Sequence, residues 1–452
     1  MLIQNFYRKK VNKDELENKY TWITYEEANT KILNFCRGLN VLDLCPFHPV
    51  ENDDSFRLLG IYSKNRPEWL LSYFGAVRDS ITIVTVYDTL GDIALEYIFN
   101  QTKVTTLVIE AKVLQKFLGL AKNGKTADIK NLIVLDKEEE NTCEELSKLG
   151  INIYTWDQVA KEGEEKGQKI EFHSPGPETI STINYTSGTT GNPKGAKVAH
   201  NSIILNTDVI EMLGLFLIED YDIYLSFLPL AHIMETLIMA VLVSRGIPIG
   251  FYNGDAKKLI DDAKILRPTC MCGVPKIFQR VYDAINDKLK KQPTIVKKIF
   301  KAAIDLKMKD YAEKGMLTNI LWDYTIFKEV RNVLGGRMRF MLIGSAPMDD
   351  YVLNFLRCAL SCEIVEGYGQ TEDAAGILLT KTYDPVAGHL GGPGYSTELK
   401  LIDVPDLEYK STDVDPETGK WRPRGELCVR GPILFKGYLS LKKETEKKKV
   451  IS

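Results

Sequence analysis

Residues 20–135 alternate between helical and extended patterns of apolar positions. Residues 25–39 repeat apolar side chains at helical spacing, whereas residues 81–86 form a β-branched apolar run typical of a buried parallel strand. Pro67 opens a helix that continues over residues 69–77, in the first-turn place that proline favours. Further strands are predicted over residues 56–62 and 105–109, and a further helix over residues 93–100. This βαβ rhythm predicts a parallel sheet covered by helices.

The pattern changes further along the chain. Residues 136–175 are rich in charge and contain one strand-like piece, residues 151–154, and we expect them to form a surface excursion. The α/β rhythm resumes over residues 177–380. Beyond them, short extended pieces at 398–402 and 425–429 are separated by turns, which predicts a small β-barrel-like subdomain.

These patterns together predict an α/β fold with mixed, mostly parallel sheets. We expect two stacked α/β subdomains, roughly residues 1–176 and 177–384, which interleave to form a core over residues 1–384. The β-barrel-like subdomain would occupy residues 385–440, and a lysine-rich tail residues 441–452.

Composition excludes several classes of protein. The formal net charge of −3 over 452 residues gives no reason to expect nucleic acid as a partner. The eight scattered cysteines contain no CxxC pair, so we interpret them as reduced thiols. The N-terminus does not resemble a signal peptide, and the longest apolar run, residues 237–243, is too short to span a bilayer. Any membrane contact is therefore expected to be peripheral.

One predicted helix, over residues 295–311, has lysines on the faces that its apolar residues leave free. These lysines are Lys297, Lys298, Lys301, Lys307 and Lys309. A basic amphipathic helix can lie on an anionic membrane. It can equally be a surface helix that packs on its own protein, and the sequence leaves both interpretations open.

The segment with the clearest chemistry is residues 185–195, which follows a strand-like run at 182–185. Within ten residues it holds four hydroxyl side chains, three glycines and one lysine. Glycines let backbone N–H groups turn toward an anion, and a lysine adds a point charge for phosphate oxygens. The segment is not a Walker A loop, because Lys194 follows Pro193 and precedes Gly195. It is either a polyphosphate-binding loop or a flexible hydroxyl-rich hairpin.

The string from Thr186 to Gly195 resembles the phosphate-binding signature of the adenylate-forming superfamily, which includes acyl-CoA synthetases, luciferases and peptide-synthetase adenylation domains. Three more strings resemble family segments in the same order. Residues 228–233 resemble the segment whose histidine lies beside the acyl site, residues 344–347 the loop that stacks on adenine, and residues 366–372 the segment that lines the nucleotide and acyl sites.

The flanking strings narrow the resemblance to eukaryotic long-chain fatty acyl-CoA synthetases. The strings concerned are residues 65–69, 87–91, 335–339, 388–392, 425–431 and 435–438. The resemblance runs from about residue 20 to 440 and covers the large N-terminal domain of the adenylate-forming fold.

The resemblance implies ATP, Mg²⁺ and coenzyme A as ligands and a fatty acid as substrate. The family's fatty carboxylate attacks the α-phosphate of ATP, and the CoA thiol then displaces AMP from the acyl-adenylate. The implied phosphate-binding residues are Thr186, Ser187, Gly188, Thr189, Thr190, Gly191 and Lys194. The implied nucleotide-binding residues are Gly344, Ser345, Ala346, Glu366, Gly367, Tyr368, Gly369, Gln370 and Thr371. Glu372 would bind Mg²⁺, and Lys194, Thr371, Glu372 and His232 would be the catalytic residues.

The resemblance stops before the family's small C-terminal domain, and the string His-Thr-Gly-Asp occurs nowhere in the chain. Three interpretations follow: a fragment of an ordinary synthetase, a short enzyme that turns over poorly, or a non-catalytic scaffold that binds ATP and fatty acid. Activation of a medium-chain or aromatic acid is a further alternative. A place in the cytoplasm at the cytosolic face of an organelle membrane, such as the endoplasmic reticulum, is inferred from the substrate alone.

Overall fold

The structure is a computed structural model. It describes residues 5–7, 20–126, 128–136, 140–186, 192–212 and 221–448, the side chains of 5–7 and 208–212 excepted. The α-helices in this part of the chain are α1 (Tyr25–Val41), α2 (Pro67–Val77), α3 (Asp92–Thr102), α4 (Ala111–Lys122), α5 (Glu140–Lys148), α6 (Trp156–Lys166), α7 (His200–Met212), α8 (Ile233–Ser244), α9 (Leu259–Leu266), α10 (Pro275–Lys290), α11 (Thr294–Lys314), α12 (Ile320–Thr325), α13 (Phe327–Arg331), α14 (Asp350–Leu360) and α15 (Lys442–Lys448).

The strands in the same part of the chain are β1 (Asn5–Tyr7), β2 (Thr21–Ile23), β3 (Phe47–Pro49), β4 (Ser55–Tyr62), β5 (Thr82–Val86), β6 (Thr106–Ile109), β7 (Asn131–Val134), β8 (Asn152–Thr155), β9 (Ile180–Thr186), β10 (Lys194–Ala199), β11 (Tyr224–Ser226), β12 (Ile249–Phe251), β13 (Cys270–Gly273), β14 (Phe340–Ile343), β15 (Glu363–Tyr368), β16 (Leu378–Leu379), β17 (Gly392–Pro393), β18 (Glu398–Ile402) and β19 (Glu426–Arg430).

Two large sheets carry the fold. The first has the order β10-β9-β5-β4-β6-β7-β8, with β3 beside β4, and only β10 and β3 run antiparallel to their neighbours. The second has the order β17-β16-β15-β14-β13-β11-β12-β1-β2, in which the strands from β15 to β1 are parallel. The antiparallel strands of the second sheet, β2, β16 and β17, lie at its edges. The predicted fold class, α/β with mixed and mostly parallel sheets, is confirmed.

Strand β4 shows how the two layers share a core. Leu59 and Ile61 point into the hydrophobic cluster that also contains Tyr224 and Leu225 of the second sheet. The alternate residues of β4, such as Leu58, belong to a second cluster on the other side of the first sheet. Because both faces of β4 are buried, its residues 58–62 form a continuous apolar run rather than an alternating one.

The expectation of a surface excursion over residues 136–175 is wrong. Helices α5 and α6 flank strand β8, which completes the first sheet. The buried Trp156 ring stacks on Phe35 of α1 with ring centroids 5.0 Å apart. A Cβ atom on Gly163 would lie 1.9 Å from the carbonyl oxygen of Asn34, so α6 and α1 pack backbone to backbone. Trp156, Val159 and Gly163 share one helix face, and the charges cover the rest.

The predicted β-barrel-like subdomain over residues 385–440 has fewer paired strands in the structure than a barrel needs. Strand β17 joins the second sheet, and β18 pairs with β19 in a two-stranded antiparallel sheet. We find no closed ring of strands among the described residues of this segment. Strands β9 and β10 lie in the first sheet although they follow residue 176, where the first predicted subdomain ends. The predicted domain boundaries stay predictions.

A buried asparagine holds the loop between β11 and α8 against the first layer. Asn65, which precedes α2, donates from Nδ2 to the Leu228 carbonyl at 2.6 Å and accepts at Oδ1 from the Leu230 amide at 2.9 Å. Asn184 of β9 donates from Nδ2 to the Ala231 carbonyl at 2.9 Å. The position of α8 relative to the first sheet therefore depends on side-chain amides that bond to backbone groups.

Replacing Asn65 with Ala leaves the Leu228 carbonyl and the Leu230 amide without these partners inside the protein. Because each unsatisfied buried group costs about 1–3 kcal/mol, we expect Asn65→Ala to lower the free energy of unfolding by about 2–5 kcal/mol. Urea unfolding followed by tryptophan fluorescence measures this loss. Asn29→Ala, at an exposed position on α1, is the control. Equal stability of the two variants would contradict the role given to Asn65.

Candidate functional site

A cavity of about 220 Å³ lies where β14 and β15 end, beside the start of α8. Seven residues singled out in the sequence line it: His232, Gly344, Ser345, Gly367, Gly369, Gln370 and Thr371. Leu237 and Ile238 of α8 add an apolar wall, and Asn206 of α7 also faces the cavity. The carboxyl ends of parallel strands are the usual position of ligand sites in open α/β sheets.

The register of β14 and β15 explains why residues 23 positions apart meet at this cavity. Ile343 pairs with Glu366, so Gly344 and Gly367 follow at the same level of the sheet. A Cβ atom on Gly344 would lie 2.9 Å from Sδ of Met234. A Cβ atom on Gly369 would lie 2.3 Å from the Ala375 carbonyl oxygen, a backbone atom that cannot move aside by rotamer change. Close approach of the chain thus requires glycine most strictly at Gly369.

The loop after β14 has an unusual backbone. Ser345 adopts a left-handed conformation, with φ of 71°, and both Ser345 and Ala346 are exposed. Ser345 lines the cavity, whereas Ala346 lies just outside it. The contact of this loop with adenine stays a prediction.

His232 is the residue that caps α8. Its Nδ1 accepts a hydrogen bond from the Met234 amide at 3.2 Å, which places the proton of the neutral ring on Nε2. Burial lowers the pKa of His232, so the ring is neutral at physiological pH. The Nε2–H group of this neutral imidazole can act as a hydrogen-bond donor at the cavity wall.

Besides Ala346, two predicted nucleotide-binding residues, Glu366 and Tyr368, lie outside the lining of the cavity. Burial raises the pKa of Glu366, whose side chain is buried on β15. Tyr368 is half-buried, and its hydroxyl accepts a hydrogen bond from Nε2 of Gln370 at 3.1 Å. The contacts of Glu366 and Tyr368 with a nucleotide remain predictions.

The hairpin of β9 and β10 brings Lys194 opposite Thr186. Thr186 donates from Oγ1 to the Lys194 carbonyl at 3.5 Å. The predicted phosphate-binding residues at the tip, Ser187, Gly188, Thr189, Thr190 and Gly191, lie outside the described residues. Sequence analysis missed β10, because its small residues lack the β-branched pattern by which strands are usually recognised.

Tyr438 connects Lys194 with Glu372. Its hydroxyl donates to Oε1 of Glu372, and its ring centroid lies 5.5 Å from Nζ of Lys194. The Phe435 amide donates to the Glu372 carbonyl at 2.7 Å. Sequence analysis included Tyr438 only as part of a family string, and no local pattern shows that it contacts residues 66 and 244 positions earlier.

The segment around Tyr438 is held as an added strand on the edge of β10. The Lys436 amide donates to the Lys197 carbonyl at 2.8 Å, and the Lys197 amide donates to the Gly437 carbonyl at 3.0 Å. The Leu439 amide donates to the Gly195 carbonyl at 2.8 Å. These backbone bonds fix Tyr438 beside the hairpin that carries Lys194.

Glu372 has the chemistry that a magnesium site in a nucleotide pocket needs. We find no group of three or more metal-binding side chains in the described part of the chain. Mg²⁺ in such pockets usually takes one or two carboxylates and completes its shell with phosphate oxygens and water. Glu372 is half-exposed and orients its carboxylate through Tyr438, so it fits this requirement as a single ligand.

Asp373, next to Glu372, is buried and closes the turn below the cavity. Its carboxylate accepts from the Gln370 amide at 2.8 and 3.0 Å, and its carbonyl accepts from Nδ2 of Asn206 at 3.0 Å. Burial raises the pKa of Asp373 to about 7, and the neighbouring Glu372 carboxylate adds to the increase. Oδ1 of Asn206 is buried without a hydrogen-bond partner.

Asn206, Leu237, Ile238 and Tyr438 are the site residues that sequence analysis did not single out. The apolar run that begins at Leu237 follows His232 by five residues. This closeness to a predicted site residue is a sequence signal that could assign Leu237 and Ile238 to the wall of the cavity.

Comparisons with known proteins identify the family of the chain. A family model described as AMP-binding enzyme matches residues 3–439. The chain therefore belongs to the AMP-binding enzyme family. It is 35% identical to a peroxisomal protein of Arabidopsis thaliana named long chain acyl-CoA synthetase 7, over 96% of this chain and 59% of that protein. It is 34% identical to long-chain-fatty-acid–CoA ligase 1 of Homo sapiens, over 94% of this chain and 58% of that protein.

The chain spans about 60% of the length of the curated relatives that it matches. Solved structures share its fold at lower identity. The A domain of carboxylic acid reductase from Segniliparus rugosus, solved with AMP and a co-purified carboxylic acid, has a TM-score of 0.73 and 22% identity, covering 98% of this chain and 67% of that chain. The adenylation domain of a carboxylate reductase from Mycobacterium chelonae has a TM-score of 0.77 and 19% identity, covering 98% of this chain and 64% of that chain.

The raised pKa of Asp373 predicts a pH effect on stability. Its pKa is about 7 in the folded chain against an ordinary value of 3.8, so the folded chain binds more protons between these values and its stability falls as the pH rises through them. Asp373→Asn keeps an acceptor for the Gln370 amide but cannot ionise. We expect a flatter dependence of the melting temperature on pH between about 5 and about 8, since one proton accounts for at most about 1.4 kcal/mol per pH unit.

Asp406→Asn, at an exposed position, is the control and should leave the pH dependence as in the unchanged chain. Part of the slope will remain in Asp373→Asn, because burial also raises the pKa of Glu235, to about 8. Parallel curves for the unchanged chain and Asp373→Asn would contradict the assignment.

Proposed function

We propose that this protein activates a long-chain fatty acid with ATP, first to an acyl-adenylate and then to an acyl-CoA, as a fatty acid–CoA ligase. The observation that carries the proposal is the arrangement of an apolar cavity beside a charged cluster. His232, Ser345 and Thr371 line the cavity, and Lys194 and Glu372 meet at Tyr438. The names of the curated relatives support a long-chain fatty acid as the substrate.

The hydrocarbon chain of the fatty acid would lie in the cavity against Leu237 and Ile238. Its carboxylate group would accept a hydrogen bond from the Nε2–H of His232. Thr371 would contact the α-phosphate, and Lys194 with the hairpin tip would hold the β- and γ-phosphates. Ser345, Ala346 and Tyr368 would hold the adenine. Glu372 would hold Mg²⁺, which neutralises phosphate charge when bound.

The residues of the chain contribute positioning and charge to the first step. The carboxylate oxygen forms a bond to the α-phosphorus, and the bond from the α-phosphorus to the pyrophosphate oxygen breaks. Lys194 offsets the charge that develops on the leaving pyrophosphate, and the apolar cavity keeps water from the mixed anhydride. Coenzyme A would enter as the second substrate, and its thiol would displace AMP.

We further propose that the protein acts in the cytoplasm at the cytosolic face of an organelle membrane, with peripheral contact. The described residues contain no helix that is long and apolar enough to cross a bilayer. Fatty acids partition into membranes, which supports a place at the membrane surface.

Palmitate-dependent exchange of pyrophosphate into ATP tests the first step. We expect the 452-residue chain to catalyse exchange, and Lys194→Ala and Glu372→Gln each to lower its rate about 10- to 1,000-fold. The first change removes the cation that offsets charge on the leaving pyrophosphate, and the second removes the proposed ligand of Mg²⁺. Lys161→Ala and Glu144→Gln, two exposed positions on α6 and α5, are the matched controls. No exchange by the unchanged chain, together with retained ATP binding, would favour a non-catalytic scaffold instead.

Formation of palmitoyl-CoA in the same reaction tests the second step separately. Exchange without thioester formation would show that this chain activates the acid but does not complete the transfer to CoA.

The size of the cavity favours one second candidate, activation of a medium-chain or aromatic acid. Its volume is about 220 Å³. Pockets that enclose a drug-sized ligand usually have a larger volume, of about 300–1,000 Å³. The same exchange assay with octanoate, benzoate and palmitate separates the candidates. We expect palmitate to react fastest, because the curated relatives are named as long-chain enzymes. Faster exchange with octanoate or benzoate would replace the long-chain assignment.

A further inference from the structure

Helix α11 has two apolar faces, and only one of them is buried. The inward face packs Phe300, Ala303, Ile304 and Tyr311 against the protein. A second row consists of Ile295, Ile299, Ala302 and Leu306, which we call the exposed stripe. An ordinary surface helix of a soluble domain carries polar side chains in this position.

The exposed stripe is continuous along the helix. Its members follow one another at intervals of four, three and four residues, so they lie on one side of α11 over about 17 Å. The exposed fractions are 69% for Ile295, 40% for Ile299 and 42% for Leu306. Isolated exposed apolar residues are common, but a row of them over three turns indicates an interaction surface.

The surroundings of the exposed stripe are strongly basic at its N-terminal end. Residues 288–301 contain six lysines and no acidic residue. Ion pairs join Lys288, Lys290 and Lys301 to acidic side chains. No ion pair joins Lys291, Lys297 or Lys298 to another residue in the described part of the chain.

Two lysines border the exposed stripe itself. Lys298 lies three positions after Ile295, and Lys309 three positions after Leu306, so both project from the same side of α11. Lys309 lies 3.9 Å from Glu313, and its side chain is 67% exposed. The acidic Asp305 and Asp310 are each paired with a lysine of the same helix.

This combination fits an anionic lipid surface better than a protein partner. The cores of protein interfaces are enriched in Tyr, Trp and Arg and depleted in Lys. Aliphatic side chains on one side of a helix, with flanking lysines whose long stems reach headgroups, are the pattern of helices that lie in the membrane interface.

We propose that the exposed stripe and its lysines dock the protein on the headgroup region of a bilayer that contains anionic lipids, with α11 parallel to the membrane plane. The benefit to catalysis rests on the proposed function, because a fatty acid substrate is concentrated in the bilayer. The lipid contact itself requires no catalytic activity.

Sedimentation with vesicles tests the proposal. The vesicles are either phosphatidylcholine alone or an equal mixture of phosphatidylcholine and phosphatidylglycerol. We expect the unchanged chain to bind the mixed vesicles more tightly, and salt at about 0.5 M to release much of it by screening. We expect Ile295→Asp to weaken binding about tenfold, and Lys298→Glu about fivefold or more.

Matched controls come from the other layer of the fold. Ile93→Asp on α3 makes the same change at a side chain that is 78% exposed, and Lys161→Glu on α6 reverses the same charge. Both should bind like the unchanged chain. Circular dichroism and melting temperature show that each variant is folded.

Three outcomes would overturn the proposal. The first is no preference for the mixed vesicles, and the second is equal loss of binding in Ile295→Asp and Ile93→Asp. The third is a dimer in solution that Ile295→Asp dissociates, without vesicle binding, which would make the exposed stripe an interface between copies of this chain. Pyrophosphate exchange with the water-soluble acid octanoate, measured without vesicles, distinguishes a failure here from a failure of the proposed function.

Discussion

The parallel pairing of β14 with β15 is the constraint on which the candidate site depends. It brings Gly344 and Gly367 to the same level of the sheet, and the turn of Thr371 and Glu372 then follows within a few residues. A shift of one residue in this register would turn every side chain of the strand to the other face. The buried apolar residues of both strands oppose such a shift, so the packing of the core specifies the geometry of the site.

The charged part of the site depends on a second, longer-range pairing. The backbone bonds between residues 436–439 and β10 carry Tyr438 to Lys194 and Glu372. Segments near the middle and the end of the chain thus form one cluster. The position of Lys194, which is predicted to bind phosphate, and that of Glu372, the predicted metal ligand, therefore both depend on the added strand.

Local patterns were sufficient to predict most of the core. The helix expected over residues 25–39 is α1, and the strand expected over residues 56–62 is β4, because each pattern is set by neighbours within a few residues. The contacts of Asn65 and Tyr438 could not be predicted in this way, since their partners lie more than 60 positions away. The sequence of residues 136–175 suggests a surface segment because charged residues on the outer faces of α6 outnumber the buried ones, which include Trp156.

Burial decides the charge of the ionisable side chains at the start of α8. Burial lowers the pKa of His232 and raises that of Glu235 to about 8, so both groups are uncharged near neutral pH. Tyr224 and Ser226 donate hydrogen bonds to the Glu235 carboxyl, but these bonds do not offset the cost of burying it as an anion. The start of α8 therefore adds no charge to the cavity wall that contains Leu237 and Ile238. Lys194 and Glu372 come from other elements and meet at Tyr438, so the neutral and the polar parts of the candidate site depend on different segments of the chain.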